Sequence, residues 1–250
     1  VAPREGGALV NAALVLDGVT VTYGGVTALR AASLRVEPGR VLGLIGPNGA
    51  GKTTLINATT GIAPLASGSI ALGSQRLDGR QPHQIARAGI ARTYQNIRLF
   101  GALDVRANLA AGAIAQPGRL ADDAARALLE RAGIAHLALD APAGALPYGD
   151  QRRLEIARAL AMQPQIVMLD EPAAGMNPTE TARLVEMIAA IAASGIGVLL
   201  IEHDMSLVRA ACDDVAVLNF GEVLARGTPD EVARDPAVID AYLGTDEGAA

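Results

Sequence analysis

A buried strand that runs straight into a glycine-rich turn and then a helix leaves a chain few ways to fold. Val41-Leu42-Gly43-Leu44-Ile45 leads directly into Gly46-Pro47-Asn48-Gly49-Ala50-Gly51-Lys52-Thr53-Thr54. The turn fits G-x-x-x-x-G-K-S/T in the strand–loop–helix setting that pattern demands. Its glycines let the backbone wrap around phosphate oxygens with N–H groups pointing inward, and the helix that follows adds its positive end. Lys52 supplies a mobile charge to β- and γ-phosphates, and the Thr53 hydroxyl a ligand for Mg²⁺. Lys52 is also the only lysine among the 21 basic residues, the rest being Arg. We read that placement as chemical.

Two further apolar runs share the design. Ile166-Val167-Met168-Leu169 ends at Asp170-Glu171, and Gly197-Val198-Leu199-Leu200-Ile201 ends at Glu202-His203-Asp204. Continuous runs without alternation predict strands buried on both faces, hence a parallel sheet covered by helices. Ligands of such sheets bind at the carboxyl edge, where all three runs deliver polar residues. Asp170 is the expected magnesium partner, acting through water. Glu171 is placed to orient the attacking water and accept its proton. His203 is either a γ-phosphate contact that holds the water or a satisfied core histidine. His83 and His136 have no such setting and read as surface residues.

Helix signals punctuate the remainder. Thr53 to Thr60 follows the loop and stops near Gly61. Asn177-Pro178-Thr179-Glu180 combines a cap, a proline at the first helical position and a reciprocal Glu. Leu184, Met187, Ile188 and Ile191 then share one face, and Gly195 closes the helix. Thr228-Pro229-Asp230-Glu231 repeats this start, and Asp235-Pro236 opens a last helix to about Leu243. Leu14 to Thr22 and Ala28 to Val36 alternate loosely around Tyr23-Gly24-Gly25 and predict antiparallel strands. From Asp104 to Met162 the chain is Ala-rich and helical, with breaks at Gln116-Pro117-Gly118 and Ala141-Pro142. The expected organisation is a β-flank and phosphate-loop part of the core at 13–98, a helical subdomain at 99–162, the rest of the core at 163–227 and C-terminal helices at 228–243. The tails 1–12 and 244–250 are expected to lie outside it.

Composition removes alternatives. With 50% hydrophobic residues and a net charge of −5, the chain is not disordered. One Cys and three His exclude a disulfide scaffold and a Cys/His zinc site. No apolar run approaches the roughly 20 residues that span a bilayer. Val1 to Gly7 lacks the basic flank and apolar stretch of a secretory signal, so the expected compartment is the cytoplasm. The acidic balance argues against nucleic acid as a partner.

Leu146-Pro147-Tyr148-Gly149-Asp150-Gln151-Arg152-Arg153-Leu154-Glu155, shortly before the strand carrying Asp170, resembles the signature loop and helix of the ATP-binding cassette (ABC) ATPases. The resemblance spans about Leu14 to Leu243. It implies an α/β P-loop NTPase fold with a RecA-like parallel-sheet core, an antiparallel β subdomain and a helical subdomain. It implies ATP and Mg²⁺ as cofactors, and two subunits head to tail with two ATPs between them. Tyr148, Gly149 and Asp150 would then face the ATP of the other subunit, with the helix N-terminus aimed at its γ-phosphate. Tyr23 matches the aromatic that stacks on adenine; by itself it also reads as a strand-end tyrosine. Gln95 matches the glutamine that touches Mg²⁺ and links the site to the helical subdomain. Pro172 to Asn177 matches the loop that crosses the dimer interface. Pro147 and Tyr148 replace the usual Ser and first Gly of the signature, Asp150 replaces a Gln and puts a negative charge near a phosphate, and Asn177 replaces an Asp.

These departures are themselves similar to one subgroup. Arg92 to Phe100, the Pro-Tyr-Gly-Asp-Gln signature, Asp170 to Thr181, Ile201 to Met205 and Asp235 to Gly244 look like the ATPase subunit of branched-chain amino acid importers. That resemblance implies pairing with a second ATPase subunit as a hetero- or homodimer, two transmembrane permease subunits, an extracytoplasmic binding protein, and a peripheral position on the cytoplasmic face of the inner membrane. Ile97, Leu99 and Phe100 fall either near a groove for a permease helix or in the core of the helical subdomain. Urea or amide import and lipopolysaccharide export are alternative cargoes of similar ATPases, and a soluble non-transport ABC protein is a further reading.

Overall fold

The central strands are buried throughout, and their side chains alternate between two cores, which shows how the molecule is layered. A computed structural model describes residues 12–115 and 120–243. In chain order it contains β1 (Leu14–Tyr23), β2 (Val26–Val36), β3 (Val41–Ile45), α1 (Lys52–Thr59), β4 (Ser67–Leu72), β5 (Gln75–Arg76), α2 (Pro82–Ala88), β6 (Ile90–Arg92), α3 (Val105–Gly112), α4 (Asp122–Arg131), α5 (Tyr148–Leu160), β7 (Ile166–Asp170), α6 (Pro178–Ala193), β8 (Gly197–Ile201), α7 (Met205–Ala211), β9 (Asp214–Asn219), β10 (Glu222–Gly227), α8 (Pro229–Val232) and α9 (Pro236–Leu243). The tail beyond residue 243, the first eleven residues and the break at Gln116-Pro117-Gly118 lie outside the described residues.

One sheet has the order β10-β9-β3-β8-β7-β6. Val167, Leu169, Val198 and Leu200 face one core with α3 to α6, while Ile166, Met168, Leu199 and Ile201 face a second with α1 and the other sheet. Both faces are covered, so no polar position interrupts the apolar runs. Register aligns the carboxyl ends. Leu44 pairs with Ile201, and Ile201 pairs with Asp170. The residues just past β3, β7 and β8 therefore share one edge.

The sheet departs from the expected all-parallel core at β10, which runs antiparallel to β9. Phe220 and Gly221 join them with φ of 45° and 83°, a two-residue hairpin that admits only an antiparallel return. Phe220 is an unusual residue for that turn, which hid it from sequence reading. The antiparallel flank also departs from expectation. It has the order β2-β1-β4-β5, so its second half comes after α1 rather than from the N-terminal segment alone. Ser67-Gly68-Ser69 at the start of β4 carries none of the β-branched density that marks a strand. The hairpin Tyr23-Gly24-Gly25-Val26 has φ of 53° and 89° at its glycines, as a tight right-twisted turn requires.

The expected caps close as hydrogen bonds. Asn177 Oδ1 accepts from the Glu180 backbone N–H at 3.0 Å, and Glu180 Oε2 accepts from the Asn177 N–H at 2.9 Å. Leu184, Met187, Ile188 and Ile191 are buried, and Gly195 follows with φ of 89°.

Candidate nucleotide-binding site

The loop between β3 and α1 is shaped by close approaches. Gly46 has φ of 151°, and a Cβ there would lie 2.0 Å from the Leu218 carbonyl oxygen; at Gly51, φ is 106° and a Cβ would meet the Ala28 carbonyl oxygen at 2.8 Å. No side chain fits at either place. The Ala50 N–H donates to Pro47 O at 3.2 Å, and the Gly221 N–H donates to Ala50 O at 2.9 Å. Asn48 and Gly49 are exposed at the tip, as is Thr53 in the first turn of α1. Thr54 is half-buried beside it. Lys52 folds back over the loop and donates to Gly46 O at 2.5 Å and Pro47 O at 3.1 Å. Burial lowers its pKa, and the charges of Glu171 and Asp170 partly oppose that shift.

Four predicted residues converge on this edge. Asp170 ends β7, buried, and burial raises its carboxyl pKa while Arg92 pulls it down. Glu171 sits at φ of 44°, a left-handed conformation that is strained for a non-glycine residue. Its N–H is fixed by Ile201 O at 3.0 Å. Gln95 Nε2 donates to Glu171 Oε2 at 2.8 Å. His203 Nδ1 lies 3.9 Å from the same carboxylate oxygen, with its ring largely exposed. His203 is thus no core histidine.

Tyr23 and the signature residues stand apart from that cluster. Tyr23 ends β1 with 46% of its surface exposed. Tyr148 donates its hydroxyl to Ala174 O at 3.0 Å, pinning the start of α5 to the segment 172–177. A Cβ on Gly149 would come 2.6 Å from Glu180 Oε1, so this glycine lets α5 approach α6. Asp150 corrects the expectation of a bare charge offered to a phosphate. Its carboxylate is buried, accepts from Arg153 Nη2 at 2.6 Å and lies 3.1 Å from His136 Nε2. His136 is an exposed surface residue, as expected, and its ring contacts this carboxylate from outside. Tyr148 to Asp150 can present only backbone and the Tyr148 ring outward.

The donor set suits magnesium. Thr53, Asp170 and the amide oxygen of Gln95 are hard oxygen donors. Among the described residues no cluster of three or more His, Cys, Asp or Glu could cage a metal. That fits an ion that takes one or two carboxylates and fills its shell with phosphate and water.

The family model described as ABC transporter matches residues 29–174, which hold the phosphate loop, Gln95, the signature and Asp170-Glu171. The chain belongs to the ABC transporter family. A second model, described as branched-chain amino acid ATP-binding cassette transporter, matches residues 222–248. The cassette is 44% identical over 249 residues to the high-affinity branched-chain amino acid transport ATP-binding protein LivG of Escherichia coli, covering 92% of this chain and 97% of that one. It is 36% identical over 238 residues to the lipopolysaccharide export system ATP-binding protein LptB of Escherichia coli, covering 94% and 98%. A crystal structure of the ADP conformation of an ATP-binding cassette of an ABC transporter superposes with a TM-score of 0.84 at 29% identity, covering 94% and 99%. The fold is that of the ABC ATPases, and as a member the cassette is a nucleotide-binding ATPase subunit of a transporter.

Three buried charges of the cassette escaped sequence reading. Arg92 pairs with Asp170 at 3.2 Å. Arg152 is fully buried and donates to Tyr94 O at 2.7 Å, to Gln95 O, and to Glu155 Oε2 at 2.9 Å. Glu202 is buried under the segment 172–177 and accepts from the Ala173 N–H at 3.1 Å. For Arg92 and Glu202 the signal was a charged residue beside an apolar run, whereas Arg152 sits among polar residues with no such signal, and no spacing rule names a partner for any of the three.

The expected permease-facing residues divide. Phe100 is 53% exposed, with Leu103 and Ile114 exposed nearby in sequence, whereas Leu99 packs against the helical core. Ile97 is half-buried. No helix of the described residues is long and apolar enough to cross a membrane.

Proposed function

We propose that this cassette hydrolyses ATP to drive uptake of branched-chain or closely related amino acids, as one of two ATPase subunits bound to a permease pair fed by a binding protein. The observation that carries the reading is that Lys52, Gln95, Asp170, Glu171 and His203, drawn from the ends of four separate strands, meet at one sheet edge. The likeness to LivG, and the branched-chain model that matches residues 222–248, support the cargo.

In this reading the amides of Gly46 to Thr54 and the Lys52 ammonium cradle the phosphates. Tyr23 stacks on the adenine. Thr53, Gln95 and Asp170 would hold a magnesium ion, which would neutralise charge developing on the phosphates. Glu171 takes the proton of the attacking water. Gln95, already hydrogen-bonded to Glu171, fixes the carboxylate's direction, and His203 flanks it. The backbone around Tyr148, Gly149 and Asp150 and the N-terminus of α5 face the γ-phosphate held by the partner ATPase. Hydrolysis removes the group that both subunits grip, and the pair reopens. The exposed Phe100 side of the helical subdomain is where a permease helix docks at the cytoplasmic face.

The test is affinity purification from detergent-solubilised membranes together with uptake of labelled leucine. Recovery of two permease subunits, a second ATPase, and leucine uptake that is lost in Glu171→Gln is expected. Recovery with lipopolysaccharide export components and normal leucine uptake would move the cargo to the export reading that the likeness to LptB motivates.

A further inference from the structure

Arg92 ends β6 and touches both halves of the molecule. Its side chain is 9% exposed, and Nη2 lies 3.2 Å from Asp170 Oδ2. Nη1 donates to Asn57 Oδ1 on α1 at 2.9 Å. The same guanidinium lies 4.4 Å from the centroid of the Tyr94 ring, and Arg98 lies 4.0 Å from that centroid. Two like charges therefore share one aromatic ring, each within about one screening length of the other. Among the described residues only Arg92 of the two has a side-chain ion pair with a carboxylate, and that carboxylate is Asp170.

Tyr94 in turn belongs to a segment anchored from the helical subdomain. Arg152 holds the carbonyls of Tyr94 and Gln95. Glu155 accepts from the Arg98 backbone N–H at 2.9 Å. The contacts run without interruption from Asp170 through Arg92 and Tyr94 to α5; Asp170, Arg152 and Glu155 are buried, Arg92 and Tyr94 half-buried, and Arg98 is exposed. Asn57 pins one arm of the guanidinium, so Arg92 can pivot but not leave.

We propose that Arg92 is a positioning residue whose ion pair with Asp170 sets Tyr94, so that the place of segment 94–98 depends on whether Asp170 is held by Arg92 or drawn toward magnesium. The inference rests on the assignment of Asp170 as the magnesium carboxylate. A doubly charged ion attracts the carboxylate that now compensates Arg92. With that compensation weakened, the repulsion between Arg92 and Arg98 is felt across the ring they share, and Tyr94 shifts. Arg is required here rather than Lys, because only a planar guanidinium can pair with Asp170 and lie over a ring at once.

The chain contains no tryptophan, so Tyr94→Trp gives a single emission reporter on the ring itself and preserves the cation–π contact. Emission of the full-length variant is recorded with adenylyl-imidodiphosphate in EDTA and then with added Mg²⁺. The expected result is a magnesium-dependent shift of the emission maximum. In Tyr94→Trp/Arg92→Gln that shift should fall at least five-fold, while affinity for the same nucleotide in EDTA is unchanged. Should Arg92→Gln not fold, Arg92→Lys keeps the charge but not the stacking, and the same loss is expected. An undiminished shift in either Arg92 variant overturns the proposal. Emission that does not move, in a protein whose ATP hydrolysis still requires Mg²⁺, overturns the relay alone. ATP hydrolysis with no Mg²⁺ requirement overturns the magnesium assignment and the relay with it.

Discussion

The side-chain amide of Gln95 donates to the carboxylate of Glu171 at 2.8 Å across 76 positions of sequence. One residue follows the edge strand β6, the other follows β7, and the bond ties the segment held by α5 to the group assigned as the general base. Glu171 is held from its own backbone as well, at φ of 44°. Its carboxylate is therefore aimed by tertiary contacts. We expect Glu171→Gln to bind ATP and hydrolyse it at least a hundred-fold more slowly, the scale of general-base loss, with a closed dimer accumulating on gel filtration. A wild-type steady-state rate would move the base elsewhere.

Lys52 is the only lysine of the chain and the one point charge over the phosphate loop. Lys52→Ala should abolish nucleotide binding or turnover with little change in melting temperature, because its bonds in the structure are to loop carbonyls near the surface. Fluorescent-nucleotide titration decides this; retained binding and turnover would sink the site assignment.

Tyr23 offers an exposed ring at the end of β1. Tyr23→Ala should weaken ATP binding by about 1–3 kcal/mol if it stacks as bases stack on aromatics elsewhere. Tyr23→Phe should bind normally. Calorimetry of both variants separates stacking from any role of the hydroxyl.

Arg152 is fully buried and compensates the buried Glu155. Removing one partner of such a pair leaves an unbalanced charge and costs about 3–5 kcal/mol. Arg152→Ala should lower urea stability by that amount. It should also release segment 94–98, since two of its carbonyls lose their donor. A loss under 1 kcal/mol would mean that water reaches Glu155.

Burial raises the carboxyl pKa of Glu202, with hydrogen bonds from Ala173 and His203 opposing. A carboxyl whose folded pKa lies above its unfolded value binds more protons in the native state. Its contribution to stability is full below the unfolded value and is lost as pH rises through the folded one. Glu202→Gln has nothing to ionise. Its stability advantage over the wild type should therefore grow from pH 4 upward and level off above the folded pKa. Chemical denaturation at a series of pH values checks this; a difference that is constant with pH would show that Glu202 does not titrate there.

Much of the cassette was legible because its signals are local. The strand–loop–helix at 41–59, the apolar runs that end at Asp170 and Ile201, and the capping box at Asn177 are each written in one short continuous stretch of chain. The antiparallel return of β10 was not legible, because Phe220 stands where turn chemistry favours a smaller residue. β4 was hidden by the small residues at its start, and β5 by being only two polar residues long.

The sequence by itself determined which residues could handle phosphate and metal, since the glycine spacing, the single lysine and the strand-end carboxylates are properties of short segments. Only the tertiary structure decided how those residues are held. Arg92 finds Asp170 across 78 positions and Arg152 finds Tyr94 across 58. Asp150 turns inward to Arg153 and His136 instead of outward. The physical reason is one of range. Backbone preference and hydrophobic period act over a few residues, whereas a buried charge must find its counter-charge wherever packing puts one, and no local pattern records that address.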